Sequence, residues 1–228
     1  MLKGLIFDLD GVITDSARFH LVAWNELAQQ LGIELPPAAN DALRGRSRMD
    51  SLQVILGYGQ QHKQYSAAQL RELAAQKNAA YQQLITGMTA ADILPGITAL
   101  LNAATAAGLT LAIASASRNA PVILKQLHLT NYFTAIVDPS TLQHGKPDPE
   151  IFISAQKLLG LQASEVISFE DATAGVQAIK AAGQFAVGIG DAQVLAQADY
   201  IVPDTAALDL GKIKTAFATQ RKEEMSHG

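Results

Sequence analysis

Leu5-Ile6-Phe7-Asp8 is a short apolar run that stops at a carboxylate, and Gly11 follows soon after to break the pattern. A run of this length bounded by a breaker reads as a buried strand, which leaves Asp8 at its C-terminal end. Five later stretches have the same character: Leu109–Ala114, Ala135–Val137, Val166–Phe169, Phe185–Gly188 and Tyr200–Val202. Helix-like segments lie between them, at about Gly96–Ala107, Ala120–Leu127, Asp148–Leu159 and Thr173–Ala182. From residue 95 onward strand and helix therefore alternate. Such alternation predicts an α/β fold, a doubly wound parallel sheet with helices on both faces.

Residues 16–87 break this rhythm, because they hold three or four helical segments and no convincing strand. Phe19, Ala23, Leu27 and Leu31 recur every four residues, and Leu70, Leu73, Ala74, Lys77, Tyr81 and Leu84 mark one side of a later segment. The expectation is an inserted helical cap domain over 16–87, with the α/β core domain built from 1–15 and 88–228. Gly87 and the turn Leu94-Pro95-Gly96 mark the return to the core.

Apolar residues make up 49% of the 228-residue chain against 17% charged, enough to build a substantial core. Seventeen basic and 21 acidic residues give a net charge of −4 without a basic stretch, which argues against a nucleic-acid partner. The chain has no cysteine, so any metal must be held by oxygen or imidazole. The apolar stretch Leu2–Ile13 is too short to span a bilayer and carries two aspartates, so no membrane partner is expected. These features predict a cytoplasmic protein, and the lack of a heptad seam predicts a monomer.

Asp8 and Asp10 stand at i and i+2, which in extended backbone sends two carboxylates to the same side. Alone, the pair reads equally well as turn-forming aspartates. Three more segments follow predicted strands, where open parallel sheets bind ligands. Ser115 could present its hydroxyl and neighbouring amides to a phosphate, or could simply cap a helix. Lys146 lies in Gly145-Lys146-Pro147-Asp148-Pro149, where two prolines restrict the chain around one ammonium; its alternative is a solvated loop lysine. Glu170 and Asp171 adjoin at the end of a buried run and repel each other unless a cation compensates them, for which Mg²⁺ with oxygen ligands is the natural choice.

In order and spacing these four segments resemble the four motifs of the haloacid dehalogenase superfamily over nearly the whole chain. The resemblance implies a Rossmann-like core with Asp8 as a covalent nucleophile for phosphoryl groups and Asp10 as general acid/base. It also implies Mg²⁺ held by Asp8, Asp10, Glu170 and Asp171, with Ser115 and Lys146 holding the transferring phosphoryl group. The stretch Asp8–Ser16 with His20 and Trp24, the stretch Arg44–Leu52, Lys77-Asn78 with Tyr81, and Ala114–Asn119 further resemble the sugar-phosphate mutases of that superfamily. By that resemblance a small sugar phosphate is the partner, and His20, Gly45, Arg48, Ser51, Lys77, Ser117 and Asn119 join its binding site. Trp24 belongs to the same set, although a tryptophan four residues from His20 also reads as packing. Arg44 and Arg46 read as a solvated basic edge. A phosphatase of a small phosphorylated metabolite has the same core, so the cap must choose the acceptor. A catalytically silent sugar-phosphate-binding protein would have no need of a nucleophile aligned with a metal site.

Overall fold

Each run with strand character is a strand in the computed structural model, which describes residues 1–43 and 48–226. The strands are β1 (Gly4–Phe7), β2 (Thr110–Ile113), β3 (Ala135–Ile136), β4 (Val166–Glu170), β5 (Phe185–Ile189) and β6 (Tyr200–Val202). The helices are α1 (Ala17–Gln30), α2 (Ala39–Leu43), α3 (Arg48–Tyr58), α4 (Ala67–Thr86), α5 (Ile97–Ala106), α6 (Ala120–Gln126), α7 (Glu150–Leu158), α8 (Thr173–Ala181) and α9 (Leu210–Ser226). The strands form one sheet in the order β3-β2-β1-β4-β5-β6, parallel throughout. This is the Rossmann-like doubly wound order, and its direction reverses between β1 and β4, where such sheets open a crevice for ligands. Asp8 and Glu170 lie at the C-terminal ends of those two strands.

The chain divides into two compact units, one of Met1–Asp15 with Met88–Gly228, the other of Ser16–Gly87. In the first, β1, β4 and β5 are buried along their whole length, as expected of a sheet covered on both faces. Helix α7 packs on β1, β2 and β3, and α8 packs on β4 and β5. Phe7 stacks on Phe169 with ring centroids 4.6 Å apart, and Phe133 meets Phe7 edge-on at 6.1 Å. Burying a Phe side chain fully contributes about 1.5–3 kcal/mol, and the fully buried Phe7 and Phe169 are the chain neighbours of Asp8 and Glu170. The segments leaving and re-entering this unit are pinned together, since Leu94 N–H donates to Ile13 O at 3.0 Å and Thr14 Oγ1 to Asp92 O at 2.6 Å. Gly96 completes that turn at φ +82°, where an added Cβ would meet Thr205 O at 2.4 Å.

Helix α9 has no counterpart among the helix-like segments that the sequence predicts. Its polar run buries Ile213 and Phe217, and Phe217 meets Phe185 edge-on at 5.5 Å. Asp199 fastens it, accepting from Gln220 on α9, Lys180 on α8 and the Ala186 N–H of β5.

In the second unit α1 and α3 both pack on α4. The core here contains Trp24, Leu27, Ala28, Leu52, Ile55, Leu56 and Ala74. The buried face of α1 is Ala23, Trp24, Leu27 and Ala28 rather than the four-residue ladder from Phe19 to Leu31. Steps of four overshoot a helical turn by about 40°, so the ends of such a ladder swing off the face. Helix α4 starts in a capping box, with Gln69 N–H donating to Ser66 Oγ and Ser66 N–H to Gln69 Oε1. Among the described residues no helix is long and apolar enough to cross a membrane.

Candidate active site

Asp8 continues β1 by one residue, its N–H donating to Phe169 O at 3.0 Å, which sets its side chain beside the end of β4. Lys146 reaches that position from the loop before α7. Its Nζ donates to Asp8 Oδ1 and to Glu170 Oε2, each at 2.7 Å. Glu170 Oε1 accepts from Ala172 N–H at 3.2 Å, so both oxygens of this buried side chain are engaged. The Lys146 loop is shaped locally. Glu150 Oε2 accepts the N–H groups of Gln143 and His144, which ties the loop to the start of α7, and Asp148 Oδ1 accepts the N–H of Glu150, a donor of the first helical turn.

Asp8, Glu170 and Asp171 bring carboxylate oxygens within 4.8 Å of one another. Three acids face one ammonium, so negative charge is in surplus. Burial raises Asp8 to about 6 against the pull of Lys146, with Glu170 adding to the rise. Desolvation and the nearby Asp8 charge likewise raise Asp171, the more open of the three, to about 6. Glu170 is also raised, by burial first. Burial works against the charge on Lys146, yet Asp8 and Glu170 outweigh it and hold the ammonium above its ordinary range. An oxygen-only donor set with excess negative charge fits a hard divalent cation. Gly11 belongs to the same cradle: at φ +77°, its missing Cβ would fall 1.9 Å from Asp171 Oδ2.

Ser115 is buried just past β2, but no helix begins there; α6 starts only at Ala120. The intervening loop is held by two side-chain turns, Ser117 N–H to Ser115 Oγ at 3.1 Å and Asn119 N–H to Ser117 Oγ at 3.3 Å. Ser115 Oγ accepts there, and a hydroxyl that accepts still has a proton to donate.

In the helical unit, His20 and Trp24 on α1 face Lys77 and Tyr81 on α4. Lys77 Nζ lies 2.5 Å from His20 Nδ1 and over the Trp24 ring, 4.5 Å from its centroid. The His20 ring stacks on Tyr81 at 3.8 Å, and Tyr81 Oη is 3.1 Å from Ser16 Oγ. Burial, then the charges of Lys77 and Arg48, lowers His20 to about 3. Burial, then Arg48, lowers Lys77 to about 7. Arg48 opens α3 and donates from Nη2 to Asn78 Oδ1 at 2.7 Å. Ser51 is buried one turn further along α3. Gly45, with Arg44, Arg46 and Ser47, lies outside the described residues.

Residues 2–183 match the haloacid dehalogenase-like hydrolase family. The chain belongs to that family. It is 46% identical to the beta-phosphoglucomutase of Bacillus subtilis (strain 168) over 223 residues, 98% of this chain and 99% of that one. It is 31% identical to the fructose-1-phosphate phosphatase YqaB of Escherichia coli (strain K12), over 82% of this chain and 95% of the relative. The crystal structure of a beta-phosphoglucomutase from Clostridium difficile superposes with a TM-score of 0.90 at 38% identity, covering 96% of this chain and 99% of that one.

Within this family member, sequence reasoning passed over three contacts. Tyr81 and Asn78 stand in the stretch that carries the resemblance and Gly11 ends a strand pattern, but the stacking of Tyr81 on His20, the bond from Arg48 to Asn78 and the approach of Gly11 to Asp171 are not among the expectations. For Tyr81 a signal existed. His20/Trp24 and Lys77/Tyr81 are both i, i+4 pairs, the spacing that puts two side chains on one helix face.

Proposed function

We propose that the chain is a β-phosphoglucomutase, interconverting β-D-glucose 1-phosphate and D-glucose 6-phosphate through β-glucose 1,6-bisphosphate. The observation that carries this reading is the 46% identity with the B. subtilis enzyme across 98% of the chain, because it runs through the helical insertion as well as the sheet.

Asp8 is the nucleophile. One of its oxygens bonds to phosphorus while the bond from phosphorus to the sugar oxygen breaks, which gives a phospho-aspartate and a sugar hydroxyl. Asp10 gives that departing oxygen its proton and, in the reverse step, takes the proton from the attacking hydroxyl. Lys146, within 2.7 Å of Asp8, offsets phosphoryl charge so that one anion can approach another. The Ser115 hydroxyl donates to a phosphoryl oxygen. Asp8, the backbone carbonyl of Asp10, Glu170 and Asp171 would hold Mg²⁺, which when bound supplies further positive charge beside the phosphoryl oxygens.

Phosphorylated Asp8 gives its phosphoryl group to the 6-hydroxyl of β-glucose 1-phosphate. The bisphosphate turns, its 1-phosphate passes to Asp8, and glucose 6-phosphate leaves. Arg48 receives the phosphate that is not reacting, with Ser117 and Asn119 assisting, because a planar guanidinium binds phosphate through two parallel donors. Lys77 contacts the sugar, and His20 acts through Lys77.

A second reading, a sugar-phosphate phosphatase, is favoured by the 31% identity to the E. coli fructose-1-phosphate phosphatase. It uses the same phospho-aspartate with water as acceptor. The deciding experiment follows glucose 6-phosphate and inorganic phosphate together from β- and α-glucose 1-phosphate, with Mg²⁺ and a trace of bisphosphate. Glucose 6-phosphate from the β anomer alone is the expected result. Phosphate release without isomerisation would assign the chain to the phosphatases.

A further inference from the structure

Gly175 is the third residue of α8 and is buried. Its φ lies outside the left-handed region, so the backbone there does not call for glycine. Helix formation does not call for it either, since alanine is the better helix former. The space beside it is what distinguishes the position. An added Cβ would lie 2.0 Å from both Cδ and Oε2 of Glu170 and 2.4 Å from its Cγ.

A glutamate end can ordinarily swing away from such an overlap. Glu170 has no such freedom: it is 2% exposed, Lys146 holds Oε2, and the Ala172 N–H holds Oε1. Displacing it would break the contact to Lys146 and pull one of three clustered carboxylates away from Asp8 and Asp171.

We propose that Gly175 is a positioning residue for the divalent-cation site: the volume of its missing side chain is where the Glu170 carboxylate sits. The inference rests on the reading of Asp8, Glu170 and Asp171 as cation ligands, and is independent of which sugar phosphate reacts. Gly175 touches neither cation nor substrate and acts only through Glu170.

The test is calorimetric titration of the full-length protein with Mg²⁺, without substrate, for wild type, Gly175→Ala, Glu170→Asp and the double variant. Circular dichroism of the metal-free proteins reports folding alongside. Gly175→Ala should weaken Mg²⁺ binding by roughly 10–100-fold, the loss typical when support for a metal ligand is removed. In the E170D background the same substitution should cost less than about threefold, because the shorter acid withdraws from the overlap and the two sites uncouple. Equal losses in both backgrounds, or wild-type affinity in G175A, would overturn the inference. Should G175A fail to fold, the double variant decides: a folded, Mg²⁺-binding protein supports the overlap, and an unfolded one refutes it. A wild-type protein that binds no Mg²⁺ would instead remove the cation reading itself and this inference with it.

Discussion

The Nζ of Lys77 lies 2.5 Å from Nδ1 of His20, and while Lys77 is charged it can only donate, which requires a lone pair on Nδ1 and places the imidazole proton on Nε2. Protonating His20 would bring two cations together in a buried setting, and burial with the Lys77 and Arg48 charges accordingly lowers His20 from 6.5 to about 3. Between those values the unfolded imidazole binds a proton that the folded one refuses. The contribution of His20 to stability is therefore intact above pH 6.5 and is lost as pH falls from 6.5 towards 3. Lys77→Met should raise the His20 pKa from about 3, yet leave it below 6.5 because burial and Arg48 remain. An NMR titration of the His20 ring checks this, and an unmoved midpoint would refute the coupling.

Cation binding at Asp8, Glu170 and Asp171 should depend steeply on pH. Asp8 and Asp171 are both raised to about 6, so below that value Mg²⁺ must displace protons. Affinity should be level above pH 7 and fall by about tenfold per pH unit for each protonated ligand below pH 6. Asp171→Asn removes one titrating ligand and should make the fall shallower. Calorimetry at several pH values measures the slope, and a flat profile down to pH 5 would contradict the assignment. In the metal-free protein the same raised groups have the opposite sign to His20. The folded state holds protons that the unfolded state has lost, so their contribution is present below pH 3.8 and disappears as pH rises through about 6.

Lys146 stands between two carboxylates and pairs with each at 2.7 Å. Its side chain is 15% exposed, against 10% for Asp8 and 2% for Glu170. Removing one partner from a buried ionic cluster leaves the other charges uncompensated, so Lys146→Met should destabilise the metal-free protein by about 3 kcal/mol at pH 7. Mg²⁺ should restore part of that stability but little activity, because the ammonium proposed to meet the phosphoryl group is gone. Urea unfolding with and without Mg²⁺ measures the first, and the coupled glucose 6-phosphate assay the second. Unchanged stability would show that the cluster is more hydrated than its exposure indicates.

The strands were legible because parallel strands buried on both faces are written as continuous apolar runs, and all six appear in the sheet. The order β3-β2-β1-β4-β5-β6 was not legible, since neighbours such as Phe7 and Phe169 lie far apart in sequence. Helix α9 escaped because two buried residues, Ile213 and Phe217, leave too weak a periodic signal in a polar segment. At the site, residue types at strand ends singled out Asp8, Ser115, Glu170 and Asp171. Their pairing did not follow from type alone: the alternative of a solvated loop lysine for Lys146 is removed only by its contacts to Asp8 and Glu170. That Lys77 is buried, with its ammonium beside His20 and over the Trp24 ring, was not written in residue type or spacing. Only three-dimensional packing could show that.

Arg48, proposed to hold the non-reacting phosphate, should matter for isomerisation but not for the loading of Asp8 from a donor with a single phosphate. It is exposed at the start of α3, with Nη2 donating to Asn78 Oδ1 at 2.7 Å, so its guanidinium is held in one direction. A two-donor contact to phosphate is worth about 2–3 kcal/mol, or roughly 30–150-fold in rate. Arg48→Ala should therefore slow isomerisation of β-glucose 1-phosphate by about 100-fold. Transfer of a phosphoryl group from acetyl phosphate to Asp8 needs no second phosphate and should proceed at the wild-type rate. Arg48→Lys should recover little, because a single ammonium cannot reproduce two parallel donors. Phospho-enzyme formation followed by intact-protein mass spectrometry, beside the coupled assay, distinguishes the steps. Equal losses in both would mean that Arg48 supports the fold or the nucleophile rather than the distal phosphate.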